Sequence, residues 1–133
     1  MTVQRKLENL IHILDDLHSE LARMDVRLLA ELEGAGLQEE EGLQAARGAF
    51  ARASAAVLRA RRSTVSFQLG TGTLPEAVLA EDGPRTLIDT WIENAKGIVN
   101  QTWGLIWRAA RLLPSEKEPF AAGIPISFPR ARG

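Results

Sequence analysis

Apolar residues recur along the first quarter of the chain at alternating intervals of four and three. Val3, Leu7, Leu10, Leu14, Leu17, Leu21, Met24 and Leu28 form one unbroken heptad seam, with leucine at every a position. The spacing predicts a helix over residues 2–33. Ile11 and Ile13 flank the seam at its e and g positions and widen the apolar stripe in mid-helix. A stripe that wide suits a bundle helix that meets more than one neighbour. Gly34 and Gly36 then stop the helix, with Gly34 as the C′ residue.

A second seam runs through Leu43, Ala46, Phe50, Ala53, Val57 and Ala60 and predicts a helix over residues 37–62. Glu39, Glu40 and Glu41 at its start and Arg59, Arg61 and Arg62 at its end complement the helix dipole. Alanine dominates this seam, so the helix is expected to lie close against the first one, antiparallel across the short glycine turn. The period then changes. Val65, Phe67 and Leu69 alternate with Ser and Gln, a pattern that predicts an extended segment over residues 64–69. Gly70, Thr71, Gly72 and Thr73 read as a loop, and residues 75–80 as one or two helical turns behind Pro75.

The third long helix is expected from about Pro84 to before Pro114. Trp91, Ala95, Ile98, Leu105, Ala109 and Leu112 line one side of its apolar arc. Ile88, Ile92, Val99, Trp103, Ile106, Ala110 and Leu113 line the other. That arc covers about half the circumference. Beyond it, Pro119, Pro125 and Pro129 forbid a long helix. Ile124, Ile126 and Phe128 alternate with Pro and Ser, and Pro125 and Pro129 share one edge of an extended strand. Residues 123–128 are therefore expected to pair with residues 64–69, of the same chain or of a neighbouring copy, through the other edge. The fold class that follows is all-α. Three long helices form a bundle domain over residues 1–113, followed by an extended proline-containing tail over residues 114–133.

Composition narrows the chemistry. Sixteen Lys and Arg against seventeen Asp and Glu leave a net charge of −1, without the basic surplus of a dedicated nucleic-acid binder. There is no Cys and no Tyr, and there are only two His, which removes thiolate chemistry and thins the acid–base repertoire. Asp15 and His18 have the spacing of a metal-binding pair. A di-iron bundle needs a Glu-x-x-His on each of two helices with further glutamates, so no metal or cofactor is expected. The Gly70–Thr73 stretch lacks the lysine of a phosphate-binding loop. Residues 1–10 mix charges into their apolar positions, which does not fit a secretory signal. No run approaches the ~18 apolar residues of a membrane span, and a cytoplasmic location is the default expectation.

One pattern remains. Gly97 and Gly104 stand seven residues apart on the polar side of the third helix, with Asn100 between them and Gln101 adjacent. Each glycine costs about 1 kcal/mol against alanine there; the pair reads either as two tolerated glycines or as a groove that another backbone, a second chain or the tail, approaches closely. Trp107 and Arg111 at the edge of the same face are residue types favoured at interfaces. The expected function is a non-enzymatic structural or adaptor subunit, as a homo-oligomer or within a larger assembly. Its contacts would be Gly97, Asn100, Gln101, Gly104, Trp107 and Arg111 on the helix and Ile124, Ile126 and Phe128 on the tail. The alternative is a small nucleic-acid-associated subunit that contacts phosphates through Arg59, Arg61, Arg62 and Arg108, with Arg111 beside them.

Overall fold

The computed structural model describes residues 2–113, and four α-helices account for most of them, with no strand among the described residues. α1 spans Val3–Glu33, α2 Leu37–Thr71, α3 Glu76–Leu79 and α4 Asp82–Ala110. The three long helices lie side by side as an all-α bundle around one main core.

α1 begins where Thr2 places its Oγ1 to accept the backbone N–H of Arg5 at 3.2 Å, satisfying a donor that the first turn leaves without an intrahelical partner. The N–H of Val3 donates to Glu76 Oε1 at 3.0 Å, which ties the short α3 to the start of α1. From Leu7 to Leu28 every residue of the predicted seam is buried, and Ile13 is buried beside it. Gly34 ends the helix without entering the left-handed region expected of a C′ glycine, since its φ is −104°. The last turn tightens instead. The N–H groups of Gly34 and Ala35 donate to the carbonyls of Glu31 and Leu32, each at 3.2 Å.

α2 differs most from the expectation. It does not stop near Arg62 but runs to Thr71, so residues 64–69 are helical and form no strand. The seam itself explains this. After Ala60 the alternation of four and three continues through Thr64, Phe67 and Thr71, with Thr64 fully buried and Phe67 half-buried. Thr64 Oγ1 donates to the carbonyl of Ala60 at 2.8 Å and accepts from Trp91 Nε1 at 2.9 Å. Thr71 Oγ1 donates to the Phe67 carbonyl at 2.7 Å and accepts from Gln4 Nε2 at 2.6 Å. Phe67 stacks on Trp91, ring centroids 5.9 Å apart. Tertiary contacts thus outweigh the few tenths of a kcal/mol by which each Thr, Ser or Val disfavours a helix. The predicted pairing of residues 123–128 with residues 64–69 therefore has no strand to pair with. The tail, including Ile124, Ile126 and Phe128, lies outside the described residues.

The connection after α2 carries α3, whose Leu79 is buried against Leu7 and Ile88. Pro75 precedes its first turn as the cap residue. α4 starts at Asp82, slightly earlier than predicted, and rises parallel to α1 from this small cluster. α1 and α2 approach each other closely along their length, whereas α4 stands further off both. The Ala46, Ala53 and Ala60 positions of α2 let the first pair close up. Trp91, Trp103 and Ile106 hold α4 at a greater distance. The buried stripe of α4 runs through Ile88, Ala95, Val99, Trp103, Ile106 and Ala110, and all of these but Ala95 belong to the second of the two predicted sides of its arc. The first side is less covered: Ile98 and Leu105 are half-buried, and Leu112 is exposed. No helix among the described residues is long and apolar enough to cross a membrane.

Candidate interaction face

At 100° per residue, Gly97, Asn100, Gly104, Trp107 and Arg111 follow one another at intervals of three, four, three and four, and so form a single stripe. α4 turns its buried stripe toward α1 and α2, which leaves this one on its outer side. Gly97 and Arg111 are exposed, as is the neighbouring Gln101. Gly104 is half-buried, and Trp107 is half-buried against the edge of the main core. The structure thus brings together the helical residues singled out from the sequence.

The glycines answer no demand of the chain's own packing. A Cβ built at Gly97 would meet nothing within 4 Å, and one at Gly104 would meet only the flexible Arg108 guanidinium at 3.9 Å. Neither glycine has a positive φ. The backbone approach inferred from the sequence is therefore not made by any described part of this chain. Asn100 adds a second cost. Its side-chain Oδ1 is buried and accepts no hydrogen bond within the described residues. Such a group typically costs about 1–3 kcal/mol. Sequence pattern could find the stripe but not this orphaned oxygen, which depends on what the neighbouring helices leave uncovered.

The opposite side of the bundle, where α1 meets α2, is organised differently. Asp15 with Arg61 and Asp25 with Arg47 form two bidentate pairs across the helix junction. Hydrogen bonding to Asp25, and then its charge, raise the Arg47 pKa further above its ordinary value. Beside the second pair lies a shallow cleft of ≈ 350 Å³, floored by Leu21 and Phe50 and edged by Ala22, Ala51 and Ser54. Its two charged groups are already partnered, since Asp25 and Arg47 bond each other.

This arrangement bears directly on the two chemical patterns read from the sequence. Asp15, half of the Asp15–His18 pair, is held by Arg61 on α2. No group of three or more potential metal-ligating side chains occurs among the described residues. Of the arginine cluster, Arg61 is engaged with Asp15, while Arg59 and Arg62 are exposed. Arg108 is also exposed but does not join them. Trp91 lies level with Thr64, and α4 runs antiparallel to α2. At 1.5 Å per residue, Arg108 then sits about 18 Å along the axis from Arg59. The arginines are two separate foci. Comparison with protein-family models, curated proteins and solved structures finds no match for this chain.

Proposed function

We propose that this chain is a non-enzymatic structural or adaptor subunit that self-associates through the outer face of α4. The observation that carries the reading is the run Gly97, Asn100, Gly104. Three successive positions of one stripe each hold a residue that stabilises the chain less than alanine would. The described fold needs neither glycine, since their Cβ positions are free. Residues that weaken a fold with no internal reason tend to serve something outside it. A stripe of small residues lets a second helix lie close. Trp107 and Arg111 at its end supply the bulk and charge that anchor such contacts. The half-covered wing of Ile98, Leu105 and Leu112 adds apolar area on an adjoining flank.

Sedimentation equilibrium at micromolar concentration tests this. The expected result is a dimer or larger species, against a chain mass of 14.6 kDa. Gly104→Leu should return the protein to monomer while leaving its helical content unchanged, because a Cβ there meets only the flexible Arg108 guanidinium in the single chain and leucine favours a helix over glycine. A 14.6 kDa species at every concentration sinks the proposal. An oligomer that Gly104→Leu leaves intact moves the contact to another face.

A further inference from the structure

Charge is ordered along the outer face of α4. Asp89, Glu93, Gly97, Asn100, Gly104, Arg108 and Arg111 follow one another at intervals of four, four, three, four, four and three. At about 100° per residue, each lies within about 50° of one midline. Both acids precede Asn100 and both arginines follow it, and all four of these charged residues are exposed. No acidic residue occurs between Glu93 and Leu113. The other two cations of the helix do not break this order. Arg85 bonds Asp82 at 3.3 Å, and Lys96 lies 3.6 Å from Glu93. They stand about 90° and about 70° round the helix from the midline.

The stripe is its own complement when reversed. Turned end over end about Asn100, it lays Gly97 against Gly104, Glu93 against Arg108 and Asp89 beside Arg111. A second helix of the same sequence therefore matches it in antiparallel orientation. Laid parallel, two such helices set Asp89 and Glu93 against their own copies, and Arg108 and Arg111 against theirs. A single exposed ion pair contributes little. Orientation is decided by a difference, however, and a two-fold axis sets four attractive contacts against four repulsive ones. The two glycines, which leave open space at their Cβ positions, let the axes come close enough for the flanking charges to meet. In this register Trp107 of the second copy comes level with Asn94, beside the shallow depression lined by Arg85, Thr86, Asp89, Thr90, Glu93 and Asn94.

We propose that α4 pairs antiparallel with α4 of a second copy about a two-fold axis at Asn100, with Asp89 and Glu93 of each chain facing Arg111 and Arg108 of the other. The proposal rests on the reading that the outer face of α4 is the contact. It adds which segment of the second copy that face meets, in which direction and in which register. A contact of this symmetry uses the same patch on both chains and closes on itself, so its product is a dimer.

The chain has no cysteine, so Thr86→Cys and Gln101→Cys, made separately, each give the full-length protein one attachment point for a nitroxide. Both positions are exposed. Electron spin resonance then reads the distance between the two labels of a dimer. The expected separation is about 40–45 Å at residue 86, from the rise of the helix on either side of the axis. At residue 101 it is under about 20 Å, since packed helix axes lie about 8–10 Å apart. A short separation at residue 86 overturns the proposal and leaves α4 as the contact. Long separations at both positions, or a monomer, sink the proposal together with the reading it rests on. Charge is tested separately by sedimentation. Asp89→Arg with Glu93→Arg should weaken dimerisation about tenfold or more. Adding Arg108→Glu and Arg111→Glu to the same chain should restore it. Parallel helices meet like with like in all three forms and would show neither change. An unchanged dimer, or a loss that the second pair of substitutions does not restore, overturns the proposal.

Discussion

Leu14 and Leu17 sit at the centre of the α1 seam and have no exposed surface. Replacing either with alanine removes buried methyl groups and leaves a cavity, a loss of about 2–5 kcal/mol. Urea unfolding should register it at both sites, and a change below about 0.5 kcal/mol at both would mean that the seam is not the core. The outer stripe of α4 predicts the opposite sign. Gly97→Ala and Gly104→Ala add a Cβ into free space and restrict the unfolded chain, so each should raise the stability of the dissociated protein by about 1 kcal/mol. The same changes should weaken association. A variant that gains stability and loses self-association separates what the fold wants from what a contact wants. Both leucines and both glycines were legible from spacing alone. The burial of the Asn100 oxygen was not, because no local pattern encodes how closely a neighbouring helix covers one atom.

For whole elements, the heptad was a sound guide wherever its positions were aliphatic. It located α1 within a residue or so, and it found most of the buried face of α2. It failed from Thr64 to Thr71, where the core positions are filled by Thr, Phe and Thr. There the short alternation of Val65, Phe67 and Leu69 resembled a strand. Two threonine hydroxyls that each bond the carbonyl one turn back, and a tryptophan N–H arriving from α4, keep those polar side chains satisfied inside a helix. Ser66, exposed in the middle of this stretch, offers a direct test. Ser66→Pro should cost about 3 kcal/mol in a helix interior. In an edge strand the same change would be nearly neutral, so thermal or urea midpoints distinguish the two. Thr64→Val keeps the shape but removes the acceptor for Trp91 Nε1, and should cost about 1 kcal/mol by the same measurement.

Across the whole molecule the three long helices are not equivalent partners. α1 and α2 close along their full length, joined by a three-residue turn, while α4 arrives after a longer crossover and stands further from both. α4 also leaves a flank of apolar side chains half-covered. The segment with fewer close contacts should open at lower free energy. Native-state hydrogen exchange is expected to find weaker protection at the core amides of α4, such as Val99 and Ile106, than at Leu14 and Leu17 of α1. Equal protection would describe a single cooperative unit instead. The arrangement has an optical consequence. All three tryptophans, Trp91, Trp103 and Trp107, belong to α4. Far-ultraviolet ellipticity is weighted toward α1 and α2, with 31 and 35 residues against 29 in α4. Indole emission therefore follows the docking of one helix while ellipticity follows the hairpin. If α4 leaves first, the emission of a denaturant titration will shift to the red before the ellipticity falls, and two spectrometers will read two transitions from one unlabelled sample.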